Sequence, residues 1–122
     1  MGVATLEDGL YVLEENLKDA AFVDKMARFV RASMKGWKYA EENQAEAAEI
    51  VVENDDSGAQ TIEANTIQMG EIAKLTAGSN GALDPADYDR TVNSLMTGGS
   101  DPVITKKPTG AWSHTITDAA LK

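Results

Sequence analysis

The sequence predicts a mainly α-helical fold of about five helices with one short N-terminal strand or extended arm. Apolar residues recur at helical intervals along several stretches, capping residues precede these stretches, and glycine-containing turns follow them. A chain of 122 residues, 43% of them hydrophobic, suits one domain with a modest core. We therefore expect a single helical domain over residues 1–122.

The first element is the segment at residues 9–13 (GLYVL), which is apolar and β-prone and has acidic residues on both sides. It predicts a strand or an extended arm. A lone strand leaves its backbone N–H and C=O groups unpaired. Such a strand requires a partner in this chain or in another one.

A long first helix is predicted to begin after Asp19, which is a suitable N-cap. Its predicted apolar stripe consists of Phe22, Met26, Phe29, Val30, Ser33, Trp37 and Ala40. Asn43 and Glu46 have the spacing of a capping box and predict a second helix, which the polar residues 53–58 end.

Three further helices are predicted downstream. The third spans residues 61–76, and its predicted buried residues are Ile62, Met69, Ile72, Ala73 and Leu75. The fourth begins with Asp84 as N-cap and Pro85 in its first turn, and Gly98 ends it. The last is predicted to begin near Pro108 and to carry Trp112 and Ile116 on one side.

Charge and composition exclude several functions. With 20 acidic against 11 basic residues, the net charge of −9 disfavours nucleic acids and anionic membrane surfaces. No cysteine is present, so disulfides and thiolate chemistry are excluded. No apolar run approaches the roughly 18 residues of a membrane span, and the first residues lack a signal-peptide pattern. We expect no membrane insertion and, for the chain as written, a cytoplasmic location.

No catalytic or metal site is predicted. His114 is the one histidine, and Ser113 next to it points about 100° away on a helix, so the two cannot form a triad. The acidic residues 53–56 fail the calcium-loop pattern, because Ala64 falls where a bidentate glutamate is required. We therefore expect His114 to be a partly exposed helix residue, with no cofactor and no metal.

Several phrases of the sequence together resemble one family of transport proteins. They are residues 7–13 (EDGLYVL), 29–37 (FVRASMKGW), 39–43 (YAEEN), 46–47 (EA), 78–88 (GSNGALDPADY), 102–104 (PVI) and 111–112 (AW). This pattern resembles the C-terminal part of periplasmic substrate-binding proteins of ABC importers, in the group that binds nitrate, sulfonates, taurine and thiamine precursors. The likeness covers nearly all of the chain.

The resemblance implies a non-enzymatic, solute-binding-protein-like module from the C-terminal helical part of a type II periplasmic binding protein. It implies a periplasmic location and a small organic or sulfonate-type ligand. The chain matches only the last third of such proteins, so we expect an incomplete ligand cleft. Glu7 and Asp8, beside the hinge-side strand, are the positions that the resemblance places near a cleft.

An isolated part of such a fold exposes apolar faces, and these promote association. We therefore expect a homo-oligomer whose interface contains Leu10, Tyr11, Val12, Leu13, Phe22 and Met26. The alternative function is a free-standing acidic helical adaptor or oligomeric protein-interaction module. A small enzyme is the third, disfavoured class, because no motif brings reactive side chains together.

Overall fold

A computed structural model describes residues 5, 6 and 8–122 and confirms a mainly helical fold. The described residues contain a 3₁₀ helix at Glu14–Lys18, five α-helices and no β-strand. The α-helices are α1 (Ala20–Glu42), α2 (Gln44–Glu53), α3 (Ile62–Thr76), α4 (Pro85–Thr97) and α5 (Thr115–Ala120). Residues 8–13 have no regular structure, so the arm rather than the strand is present, and the 3₁₀ helix after it was not predicted.

The predicted starts of three helices are confirmed by their caps. Asp19 Oδ1 accepts a hydrogen bond from Ala21 N at 2.9 Å at the start of α1. Thr61 Oγ1 accepts from Ala64 N at 3.2 Å before α3, and Asp84 Oδ1 accepts from Ala86 N at 2.8 Å before α4. Each bond satisfies a first-turn N–H that has no partner within the helix.

Two predicted helix starts are wrong in detail. The Asn43 side chain does not cap α2, because its Nδ2 donates backwards to the Tyr39 carbonyl at 2.9 Å. The last helix begins at Thr115 and not near Pro108, which leaves Trp112 outside it. Gly110 has a φ of +65°, which is outside the helical region, and Ser113 Oγ accepts from Thr115 N at 3.1 Å just before the helix.

The described chain divides into two compact units, one made of residues up to Ala27 together with Ala82–Lys122, the other of Arg28–Gly81. In the first unit Ala27, Val92 and Ala120 are buried. Its N-terminal segment is fixed to α4 by a hydrogen bond of 2.8 Å from Leu6 N to Thr91 Oγ1.

In the second unit α2 packs against α3, and the buried residues are Val30, Ala47, Ala48 and Asn65. Two residues predicted to be buried on α3 are exposed instead, Ile62 by 45% and Leu75 by 84%. Two of these four buried residues are the neighbouring alanines of α2, whose small side chains allow close approach of helices. Several large apolar side chains of this unit remain exposed.

Candidate functional site

An exposed apolar segment precedes the 3₁₀ helix. Leu10 and Leu13 are each 64% exposed and Tyr11 is 88% exposed, whereas Val12 is half-buried. The backbone at Leu13 is extended (φ −69°, ψ 137°), and its carbonyl accepts from Asn16 N at 3.1 Å. The extended arm therefore leads directly into the 3₁₀ helix. We call residues 10–13 the N-terminal apolar segment.

The other two residues of the predicted interface lie on α1. Phe22 and Met26 are both half-buried, and they belong to the same compact unit as the N-terminal apolar segment. Ala27 beside them is 2% exposed. These two side chains therefore contribute to packing and expose only part of their surface.

The structure gives little information on Glu7 and Asp8, the two residues that the resemblance places near a ligand cleft. Glu7 lies outside the described residues. Asp8 is exposed. Among the described residues, no group of three or more histidines, cysteines or acidic residues is arranged to hold a metal ion.

A small apolar cavity lies in the second unit between α1 and α3. Its walls are formed by Trp37, Ala40, Glu41, Met69, Ile72 and Ala73. Its volume is about 10 Å³, whereas a drug-sized ligand needs a pocket of roughly 300 Å³ or more. Glu41 Oε1 accepts a hydrogen bond of 2.6 Å from Thr76 Oγ1 at its edge. This cavity is therefore a packing gap and not a ligand site.

His114 belongs to an aromatic cluster in the first unit. Its Nε2 lies 2.8 Å from the Leu83 carbonyl oxygen, and because a carbonyl only accepts, Nε2 carries the proton. The imidazole centroid is 4.8 Å from the Trp112 ring, and Trp112 meets Tyr88 edge to face at 6.3 Å. His114 precedes α5 as its N-cap residue, so its prediction as a helix residue is wrong.

The hydroxyl next to His114 has a structural role. Ser113 Oγ lies 2.8 Å from Thr115 Oγ1 and accepts from the Thr115 backbone N–H. Both contacts are made at the start of α5. The geometry therefore orients Ser113 for capping and not for activation by the imidazole.

Asp55 organises the loop after α2. Its Oδ1 accepts from Ser57 Oγ at 2.5 Å and from Ser57 N at 2.9 Å, and its Oδ2 accepts from Gln60 N at 2.7 Å. These bonds, led by that of the Ser57 hydroxyl, lower the pKa of Asp55 below its ordinary value of 3.8. The Asp55 carboxylate therefore holds residues 55–60 together by hydrogen bonds, whereas the sequence predicted only that a helix ends here.

The sequence analysis missed Asn65, which is 2% exposed on α3. Its Nδ2 donates to Gln60 Oε1 at 2.9 Å and to the Thr61 carbonyl at 3.0 Å. The signal available in the sequence is weak, because an asparagine within an amphipathic helix is usually exposed. The contacts join α3 to the segment that precedes it.

Comparisons of the chain with protein-family models, with curated proteins and with solved structures found no match. Among the described residues, no helix is both long and apolar enough to cross a membrane.

Proposed function

We propose that this chain is a non-enzymatic, solute-binding-protein-like helical module that works by contact with another protein surface. The observation that carries the proposal is the exposure of the N-terminal apolar segment, where Leu10, Tyr11 and Leu13 are each more than 60% exposed. Burial of apolar surface is the main driving force of most protein association. Three large side chains within four residues offer such surface in one place.

The polar contacts support a binding role over a catalytic one. Ser113, Asp84 and Thr61 bond to first-turn N–H groups, and Asp55 bonds within its own loop. Each of these side chains therefore has a structural partner that explains its presence. His114 is likewise engaged by a backbone carbonyl and packs against Trp112.

The resemblance to ABC importer binding proteins adds a ligand class to the proposal. A sulfonate- or nitrate-type anion is its candidate ligand, and a chain with an incomplete cleft is expected to bind it weakly or not at all. A thermal-shift screen with taurine, alkyl sulfonates, nitrate and pyrimidine precursors tests this. Binding at about 100 times the dissociation constant stabilises a fold by about 2.7 kcal/mol. We expect no shift, and a saturable shift with one of these compounds would show that a cleft is present.

A second candidate is self-association through the N-terminal apolar segment. It is favoured by the extended backbone at Leu13 and by the 88% exposure of Tyr11, because an exposed extended arm can pair with its own copy. The test is the Tyr11→Asp variant, with Leu75→Asp as matched control. Leu75 is 84% exposed but lies on α3, so both variants add one charge to an exposed apolar site.

The expected result is a lower average mass in solution for Tyr11→Asp than for Leu75→Asp at equal protein concentration. Equal masses that stay above the monomer value would place the contact elsewhere. If the wild-type chain is a monomer and no compound of the ligand screen shifts its melting temperature, the proposed partner is a different protein. A pull-down with Tyr11→Asp and Leu75→Asp then shows whether binding of that protein depends on Tyr11.

A further inference from the structure

The dipeptide Asn80–Gly81 lies in the loop between α3 and α4 and pairs an exposed asparagine with a following glycine. Asn80 is the only asparagine of the chain that is followed by glycine. Asn80 and Gly81 are both exposed, and Asn80 lies outside any helix, between the end of α3 at Thr76 and the cap of α4 at Asp84.

The fold itself accounts for glycine at position 81. Gly81 has a φ of +82°, a conformation that side chains with a Cβ rarely adopt. A Cβ on Gly81 would lie 2.7 Å from Met34 Sδ and 3.3 Å from its Cγ. Both features favour glycine at this position, and a glycine has no side chain to shield its backbone nitrogen from the Asn80 carboxamide.

The backbone nitrogen of Gly81 is only loosely held. Its N–H donates to Ser79 Oγ at 3.3 Å, a long bond to an exposed side chain of the same loop. Asn54 serves as the comparison, because it also precedes a loop residue. The backbone N–H of that residue, Asp55, donates to a backbone carbonyl, that of Val52, at 3.2 Å.

The other asparagines are held by helices. Asn16 lies in the 3₁₀ helix, Asn43 lies between α1 and α2 with its side chain bonded to the Tyr39 carbonyl, Asn65 is buried in α3 and Asn93 lies in α4. A helical backbone keeps the nitrogen of the next residue away from the carboxamide carbon. Asn80 is thus the asparagine whose following residue has no side chain and lies outside a helix.

We propose that Asn80 is a site of spontaneous intramolecular deamidation. The Gly81 backbone nitrogen gives its proton to hydroxide and attacks Cγ of Asn80. A new C–N bond closes a five-membered succinimide, while the bond from Cγ to the side-chain nitrogen breaks. That nitrogen takes a proton from water, which restores the hydroxide, and leaves as ammonia. Water then adds to either succinimide carbonyl, which opens the ring to aspartate or to isoaspartate. This inference is independent of the proposed interaction function.

The products change the loop in two ways. Both add a carboxylate to a chain whose net charge is already −9. Isoaspartate also adds one methylene to the main chain directly before Gly81, which displaces Gly81 relative to Met34. We expect faster amide hydrogen exchange in residues 79–82 of the isoaspartyl form than of the unmodified chain.

The test is incubation of the folded full-length chain at mildly alkaline pH, followed by peptide mapping with mass spectrometry. Isoaspartate is recognised by its susceptibility to an isoaspartyl methyltransferase. We expect conversion of Asn80 at least about tenfold faster than that of Asn54, a difference of about 1.4 kcal/mol in activation free energy. The Asn80→Gln variant should not convert at position 80, because its longer side chain cannot close the five-membered ring.

Two results would overturn the proposal. One is a conversion rate at Asn80 less than tenfold above that at Asn54. The other is accumulation of the same acidic species in Asn80→Gln as in the wild-type chain. Hydrogen exchange of Asn80→Gln before incubation controls for any change that the substitution itself makes to the loop.

Discussion

Replacing Asn65 by alanine tests whether this buried polar side chain stabilises the second compact unit. The substitution removes two hydrogen bonds, from Nδ2 to Gln60 Oε1 and to the Thr61 carbonyl. A net hydrogen bond contributes about 0.5–1.5 kcal/mol, so we expect the free energy of unfolding to fall by about 2 kcal/mol. For a chain of this length that corresponds to about 6–10 °C in melting temperature.

Asn65→Asp is expected to destabilise more strongly than Asn65→Ala. A carboxylate cannot donate to either acceptor, and it places an unpaired charge at a site that is 2% exposed. Asn93→Ala is the matched control, because Asn93 is exposed on α4. Its effect should stay within about 0.5 kcal/mol.

The assay is urea unfolding followed by tryptophan fluorescence. Trp37 lies in the second unit and Trp112 in the first, so a Trp112→Phe background leaves a reporter for the unit that contains Asn65. Circular dichroism on the same samples shows whether both units unfold in one transition. An unfolding midpoint for Asn65→Ala equal to that of Asn93→Ala would refute the assigned role of these hydrogen bonds.

Two further predictions concern local structure. Asp84→Ala should lower the free energy of unfolding by about 1 kcal/mol, measured in the same assay, because the Ala86 N–H loses its cap; no change would mean that the bond contributes nothing. Because the pKa of Asp55 is lowered in the folded loop, its stabilising effect is present above the ordinary value of 3.8 and is lost as the pH falls through the lower folded value. Amide protection at Ser57 and Gln60 should therefore fall on acidification in the wild type and in Asp56→Asn. It should be lower already at neutral pH in Asp55→Asn, whose carboxamide keeps only one acceptor oxygen; equal profiles for the two variants would contradict this.

Local signals in the sequence predicted most of the helical architecture. Asp19 and Asp84 cap the helices that they were expected to cap, because a short polar side chain before an apolar stripe can accept a first-turn N–H. Thr61, which was predicted as the first residue of the third helix, is its N-cap. The same logic was wrong for Asn43. The Asn43 side chain also carries an NH₂ donor. It donates to the Tyr39 carbonyl in the last turn of α1 and does not accept from an N–H of α2.

Burial was harder to predict than helix position. Leu75 is apolar but 84% exposed, and Asn65 is polar but buried. Helical periodicity identifies one face of α3, but it does not state which part of that face meets α2. The residues of α2 that are buried are the small Ala47 and Ala48, and α2 packs against α3.

The residues of the predicted interface differ in exposure. The arm at residues 10–13 is exposed at three of its four positions. Phe22 and Met26, in the part of α1 that belongs to the first unit, are only half-buried. The contact of His114 with the Leu83 carbonyl joins residues far apart in the chain, and no local pattern indicates such a pair.

The central claim is that the N-terminal apolar segment is a protein-binding surface, and the average mass in solution tests it most directly. Sedimentation equilibrium over a range reaching high micromolar concentration is the measurement. Self-association predicts a mass that rises above the 13.0 kDa of one chain and returns toward it in Tyr11→Asp. A wild-type mass of 13.0 kDa at every concentration, together with identical pull-downs by wild type and Tyr11→Asp, would contradict the claim.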